Sequence, residues 1–80
     1  MNLFRWLRAH ILYRQAHAAN AAAQRASNKG LRMVDEMLKG DPTNEELLAV
    51  QRNLQALLTR NRINQASINT GKDWLDAFRR

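Results

Sequence analysis

Small and apolar residues recur along the first half of the chain in alternating steps of four and three. The series begins at residue 12 and ends at residue 37, and its members are Leu12, Ala16, Ala19, Ala23, Ala26, Gly30, Met33 and Met37. Such steps return side chains to one face of an α-helix. We therefore predict a first helix with one continuous small and apolar face, called here the 12–37 series.

A second series with the same spacing runs almost to the C-terminus. Its members are Leu47, Val50, Leu54, Leu57, Asn61, Asn64, Ile68, Gly71, Leu75 and Phe78. Between the two series, Gly40 is typical of a helix end and Pro42 cannot continue a helix. The pattern predicts an all-α fold in which a single domain, 1–80, forms a long antiparallel helical hairpin. Helix 1 is expected at about 3–39, the turn at 40–43 and helix 2 at about 44–79.

The helix ends have capping residues, and two interior segments leave continuity open. Asn2 is available to cap helix 1, whereas Thr43 and Asp41 compete to cap helix 2. Segment 27–30 ends in a glycine, as many helices do, but this glycine keeps the register of the 12–37 series and costs only about 1 kcal/mol inside a helix. We predict continuity there. At 69–72 the alternative is a break followed by a short third helix at the C-terminus.

Folding the chain about residue 41 places the two series face to face in one seam. Asn61 and Asn64 then occupy seam positions where leucine would bury more apolar area. A buried asparagine weakens a helical seam but rejects wrong registers and oligomeric states. We interpret the two residues as fixing the register, with ligand contact through an opened seam as the alternative.

Helix 1 carries a further apolar stripe that one hairpin cannot cover. The stripe consists of Phe4, Leu7, Ile11 and Ala18. Pairing two hairpins into a four-helix bundle would bury it, so we predict a homodimer. The alternative is a monomer whose stripe is covered by a different protein. The architecture resembles dimeric helical hairpins in heptad spacing alone, which implies nothing about function.

A third line on helix 1 lies nearly opposite the apolar stripes, so we expect the hairpin to expose it. The line contains Trp6, His10, Tyr13, His17, Asn20 and Gln24, again in steps of four and three. Tryptophan, tyrosine and arginine dominate protein-binding hot spots, which makes this line, together with Arg14, the candidate partner-binding surface. The alternative is that Trp6 and Tyr13 cover the free end of the hairpin against Trp74 and Phe78.

The distribution of charge indicates an acidic partner. The net charge is +6; residues 1–34 hold six basic residues and no acid, and residues 47–72 hold four basic residues and no acid. Five of the seven acids lie at 35–46, so a hairpin would have a basic shaft and an acidic tip. Our leading prediction is a small adaptor or inhibitor that occupies an acidic surface of another protein.

Nucleic acid binding is the first alternative. Arginine grips phosphate through a bidentate fork and stacks on bases, and ten of the 13 basic residues are arginine. The candidate phosphate contacts are Arg25, Arg52, Arg60 and Arg62. No helix-turn-helix, zinc-finger or basic-zipper spacing accompanies them, so this interpretation depends on charge alone.

Peripheral membrane binding is the second alternative. The N-terminal segment combines Phe4, Trp6 and Leu7 with nearby arginines, as membrane-surface helices do. No apolar run approaches the roughly 18 residues of a membrane span, and the pattern of a secretory signal is not expected at this N-terminus.

Signatures of catalysis and of metal binding are missing from the sequence. There is no glycine-rich phosphate loop, and Ser27 and Ser67 are the only serines. His10 and His17 lie two helical turns apart, about 10 Å along the axis, which is too far to share one ion. We expect neither enzyme activity, nor a cofactor, nor a metal. The absence of cysteine suits a reducing compartment, so we expect a cytoplasmic protein.

Overall fold

Two α-helices make up nearly all of the computed structural model, which describes residues 2–79 apart from the side chain of Arg79. Helix α1 spans Leu3–Gly40 and helix α2 spans Glu45–Arg79. A short turn joins them, and the two helices lie side by side in a rod of 58 × 15 × 14 Å.

Contacts between residues far apart in sequence define the antiparallel pairing. Near the free end, the indole N–H of Trp6 donates to the carbonyl oxygen of Leu75 at 3.0 Å. Near the middle, the side-chain amide of Asn20 donates to the carbonyl oxygen of Asn61 at 2.9 Å. The chain therefore folds back about residue 41, and the predicted all-α helical hairpin is confirmed.

Each helix begins at an asparagine cap. The side-chain oxygen of Asn2 accepts a backbone N–H of the first turn of α1 at 2.8 Å, as predicted. The side-chain oxygen of Asn44 accepts the backbone N–H of Leu47 at 3.1 Å, so Asn44 caps α2 and the expectation of Thr43 or Asp41 is wrong. Asp41 instead accepts the side-chain amide of Asn44 at 2.9 Å, which holds the cap in place.

Both helices run unbroken through the segments that left continuity open. A Cβ at Gly30 would lie 3.2 Å from a methyl carbon of Leu54, and a Cβ at Gly71 would lie 2.7 Å from two ring carbons of Tyr13. Each of these glycines therefore marks a close approach between the helices rather than a helix end. The short third helix does not form as a separate element.

The face of α1 that meets α2 is not the one that the 12–37 series predicted. The buried and half-buried residues that form two inward lines are Trp6, Tyr13, Asn20, Ser27 and Val34, with His10, Gln24, Leu31 and Leu38. Members of the 12–37 series are exposed, except for half-buried Gly30. The physical reason is size, because alanine has little apolar area to bury, whereas tryptophan, leucine and valine gain more from the contact.

Six of the ten members of the predicted seam of α2 face inward. Its buried or half-buried members are Leu47, Leu54, Asn61, Ile68, Gly71 and Leu75. The members that the structure exposes are Val50, Leu57, Asn64 and Phe78. Inward positions between these are filled by Gln51, Leu58 and Gln65. The true seam is therefore rotated by a fraction of a turn from the predicted one.

The apolar core of the hairpin is thin. Among the described residues it consists of Val34, Leu38, Leu58 and Leu75. Asn20, Ser27 and Asn61 are buried as well. A chain of this size buries only a modest share of its surface, and small folds of this kind gain stability from assembly.

Candidate functional site

The line predicted to bind a partner faces α2 over most of its length. Residues of the line that are buried or half-buried are Trp6, His10, Tyr13, Asn20 and Gln24. His17 and the neighbouring Arg14 are exposed. The expectation that the hairpin exposes the whole line is wrong, because most of these side chains lie against α2. Their role in partner binding stays a prediction.

At the free end, Trp6 and His10 close the seam. The ring of Trp6 stacks on the ring of His10, with 5.1 Å between centroids and 11° between planes. Trp6 also donates to the carbonyl oxygen of Leu75, and the Nδ1 atom of His10 lies 4.0 Å from the carboxylate of Asp76. These contacts tie the first turns of α1 to the last turns of α2.

In the middle of the hairpin, polar side chains replace the apolar core. The amide of Asn20 donates to the carbonyl oxygen of Asn61 at 2.9 Å and to the side-chain oxygen of Gln65 at 3.1 Å. The amide nitrogen of Gln65 lies 2.8 Å from Nδ1 of His17 and donates to the side-chain oxygen of Asn69 at 2.9 Å. These hydrogen bonds join the two helices across the seam. Asn61 contributes its backbone carbonyl, and Asn64, the other asparagine predicted to fix the register, is exposed.

A pocket of about 480 Å³ opens beside this network; most of its surface is apolar, and it is called here the polar pocket for the charged and hydrogen-bonding side chains that also line it. Its lining residues are His10, Tyr13, Arg14, His17, Ala18, Ile68, Asn69 and Lys72. Four of the residues predicted to bind a partner thus meet in one place. The pocket combines two cationic side chains, Arg14 and Lys72, with an aromatic wall from Tyr13, so its chemistry suits an anionic group.

One side of the hairpin carries a row of exposed arginines. The lining of the pocket shows on which side of the hairpin this row lies, because Arg14 and Ala18 of α1 and Asn69 of α2 all line it. Helical steps of three, four and seven lead from these residues to the other members. We name this surface the basic side, and its arginines, all exposed, are Arg14, Arg25, Arg32, Arg52 and Arg62.

The opposite side is apolar and almost free of charge. Gly30 and Gly71 locate it, since both approach the facing helix from this edge of the seam. On α1 this apolar side consists of the 12–37 series, which contains no charged residue. On α2, steps of seven from Gly71 lead to its exposed members Val50, Leu57, Asn64 and Phe78.

Large side chains stand at both ends of the apolar side. On α1, Leu12 is 57% exposed, Met33 58% and Met37 56%. On α2, the rings of Trp74 and Phe78 pack edge to face at 4.4 Å and remain exposed. A shallow pocket of about 340 Å³ lies on this side, lined by Ala9, Leu12, Tyr13 and Ala16.

The four arginines predicted to contact phosphate are divided between the two sides. Arg25, Arg52 and Arg62 belong to the basic side, whereas Arg60 lies on the α2 part of the apolar side. The helical steps that relate Arg60 to Leu57 and Gly71 place it there. A single ligand cannot use all four arginines along one face of the rod.

Sequence reasoning did not identify the α2 half of the polar pocket. Asn69 and Lys72 line the pocket from α2 and lie four and seven residues beyond Gln65 of the hydrogen-bond network, and this spacing was the available signal. Asn69 and Lys72 were not predicted because the seam of α2 was expected at apolar positions, whereas the middle of the seam is polar.

Within residues 2–79, no group of three or more histidine or acidic side chains is placed to hold a metal ion. Neither of the helices in this range has an apolar stretch that meets the requirements of a membrane span. No protein-family model, curated protein or solved structure matches the chain.

Proposed function

We propose that the protein is a non-enzymatic adaptor that binds an acidic surface of a partner protein through its basic side and works in the cytoplasm as a homodimer. The observation that carries the proposal is the segregation of charge across the hairpin. One side presents five exposed arginines, and α1 presents an uncharged line from residue 12 to residue 37 on the other. Surfaces of such different chemistry suit two different contacts.

The arginines of the basic side are available to bind carboxylates. Among the described residues, Lys39 pairs with Glu36 and His10 lies 4.0 Å from the carboxylate of Asp76, and neither contact uses an arginine. A guanidinium group binds a carboxylate through two parallel hydrogen bonds. The polar pocket beside Arg14 offers a recess for one such carboxylate, where the ion pair is less exposed to water than on an open surface.

Apolar side chains extend the basic side toward the N-terminus and favour a protein as the partner. Phe4, Leu7 and Ile11 precede Arg14 in steps of three and four, and Phe4 is 75% exposed. Exposed apolar side chains next to arginine are the combination found at the centre of protein interfaces. Leu7 and Ile11 offer nothing to a phosphate backbone or to a stacked base, so this combination favours a protein over a nucleic acid.

The apolar side supports the proposed homodimer. Leu12, Met33 and Met37 are more than half exposed in the single hairpin. A contiguous exposed apolar surface on a small protein marks an interaction site. Packing two hairpins together through this side would give a four-helix bundle and supply the burial that the thin core lacks.

A defined acidic probe tests the proposal. The probe is a labelled helical peptide with glutamate along one face and leucine along the other. We expect it to bind, and we expect Arg25→Glu combined with Arg52→Glu to weaken binding at least tenfold, about 1.4 kcal/mol. The matched control is Lys29→Glu, a charge reversal on the outer back of α1 that should leave affinity nearly unchanged.

A single-stranded oligonucleotide and vesicles containing phosphatidylserine serve as competing probes. Affinity for the peptide should fall only modestly between about 50 and 200 mM salt, whereas a phosphate complex loses orders of magnitude. If the oligonucleotide bound more tightly than the peptide, with a steep salt dependence and no effect of Phe4→Ala, the partner would be a nucleic acid and not a protein. Tighter binding of the vesicles, lost on Phe4→Ala, would replace it by a membrane surface.

A further inference from the structure

We propose that the apolar side of α1 pairs antiparallel with the same side of a second copy, about a two-fold axis between residues 24 and 25, so that the dimer carries two basic sides facing outward and bridges two acidic partners. This inference rests on the proposed dimer and acidic partner. It adds the surface, the orientation and the valency.

The 12–37 series is symmetric in spacing, and its pairs match in size except for Ala16 and Met33. Its steps read four, three, four, three, four, three and four in either direction. Reversal about residues 24 and 25 pairs Ala23 with Ala26, Ala19 with Gly30 and Leu12 with Met37. A two-fold interface uses the same patch on both copies and must therefore be complementary to itself. This series meets that requirement in the antiparallel orientation.

The shallow pocket on the apolar side lies where the reversed series places its large residues. The pocket is lined by Ala9, Leu12, Tyr13 and Ala16. In the antiparallel arrangement, Met33 and Met37 of the second copy come over these residues. Both methionines are more than half exposed in the single hairpin, and methionine is the side chain that best fills an irregular gap. Two such contacts form, one at each end of the interface.

Between these ends, small residues allow the two α1 helices to approach closely. Ala19, Ala23 and Ala26 are all exposed and occupy the middle of the series. Helices that meet through alanine reach the short end of the usual range of interaxial distances, roughly 8 Å. That approach brings the large residues at the ends into the facing pockets. Arg60, the charge on the apolar side, lies on α2 and outside this contact.

Charge favours the antiparallel orientation over the parallel one. Residues 1–34 contain no acid, whereas Asp35, Glu36 and Asp41 lie near the turn. Antiparallel pairing sets the basic end of each copy beside the acidic end of the other. Arg8 and Glu36 lie on the same edge of the series, so the arrangement brings Arg8 of one copy near Glu36 of the second. Parallel pairing would set like charges together.

The position of the basic side makes this dimer bivalent. Helical register places Arg14 and Arg25 on the flank of α1 opposite the 12–37 series. When the apolar sides meet, the two basic sides therefore point away from each other. Each copy keeps its own polar pocket, so one dimer can hold two acidic partners at once and gains effective concentration when the partners are linked.

Disulfide trapping tests the orientation, because the chain has no cysteine of its own. We expect an equimolar mixture of Leu12→Cys and Met37→Cys to form a mixed disulfide under mild oxidation, since bridged residues need Cα atoms within about 7 Å. Each variant alone should form little disulfide. Efficient bridging of Leu12→Cys with itself would show a parallel pair and overturn the proposal.

Light scattering separates failure of this arrangement from failure of the proposed dimer. A mass of 9.2 kDa for the unaltered chain at tens of micromolar would contradict dimerisation itself. A dimer that traps no mixed disulfide between residues 12 and 37 would contradict only the arrangement. The control for trapping is Ala56→Cys mixed with Met37→Cys, since residue 56 lies on α2 away from the contact and should not bridge.

A sandwich assay tests the valency. Immobilised acidic peptide should retain the protein, and the retained protein should capture a second, labelled acidic peptide in solution. Ala23→Glu in the middle of the series should abolish capture of the labelled peptide while leaving retention intact, and Ala56→Glu should affect neither. Capture that survives Ala23→Glu, in a variant that circular dichroism shows to be helical, would overturn the bridging role.

Discussion

At the residue scale, two glycines decide how the helices of the hairpin meet. A side chain at Gly71 would run into the ring of Tyr13, with 2.7 Å to its nearest carbons, whereas a side chain at Gly30 would meet a methyl group of Leu54 at 3.2 Å. A leucine methyl can move by a few tenths of an ångström, but a tyrosine ring wedged between helices cannot without repacking. Nothing lies within 4 Å of a Cβ at Gly40.

This contrast predicts three different effects of alanine. Gly71→Ala should lower the free energy of unfolding by about 1–3 kcal/mol through overpacking. Gly30→Ala should be nearly neutral, because a gain in helix propensity of up to about 1 kcal/mol offsets the tighter contact. Gly40→Ala reports the propensity effect without any packing change. Urea unfolding measures all three, and equal effects of Gly71→Ala and Gly40→Ala would contradict the Tyr13 contact.

At the element scale, the spacing of residues in the sequence predicted the two helices but not which face of each helix meets the other. The turn and the cap at Asn2 follow from local chemistry; the structure has the cap as predicted and the turn at 41–44, one residue later than predicted. The rotation of α1 follows from side-chain size and from polar pairing across the seam. The spacing of apolar positions missed both effects, because the 12–37 series included Ala23 but not Leu38, and Asn20 was placed on the surface.

The rotation of the helices predicts opposite behaviour of two asparagines. Asn20→Ala removes the amide that donates to Asn61 and Gln65, so unfolding should become easier by about 1–3 kcal/mol. Asn64→Ala changes an exposed residue and should stay within about 0.5 kcal/mol. Thermal or urea unfolding of the two variants measures both effects. A larger loss of unfolding free energy for Asn64→Ala than for Asn20→Ala would support the seam that the sequence pattern predicted.

At the scale of the whole molecule, the hairpin separates two kinds of surface that are interleaved in the sequence. Basic and small residues alternate along α1, and only its orientation against α2 sorts them onto opposite sides. The sequence therefore predicted a basic shaft and an uncovered apolar stripe at Phe4, Leu7 and Ile11, which are exposed beside the basic side. It wrongly turned the 12–37 series toward α2 and placed the polar and aromatic line of Trp6 and Asn20 outside. That line could not be oriented without knowing that its side chains are satisfied by α2.

The account predicts that the two sides fail independently. The variant with Arg25→Glu and Arg52→Glu should bind the acidic peptide weakly but still have the mass of a dimer in solution. Ala23→Glu should lose the dimer but keep a one-to-one complex of peptide and chain. Both variants change only exposed residues, so both should remain helical.

Mass by light scattering and peptide affinity, measured on the same samples of these two variants, test whether the hairpin has two separate binding surfaces. Each variant should lose one property and retain the other. If Ala23→Glu lost the peptide as well, or if reversal of the two arginines broke the dimer, one surface would serve both contacts. The division of the hairpin into a basic side for partners and an apolar side for a second copy would then be wrong.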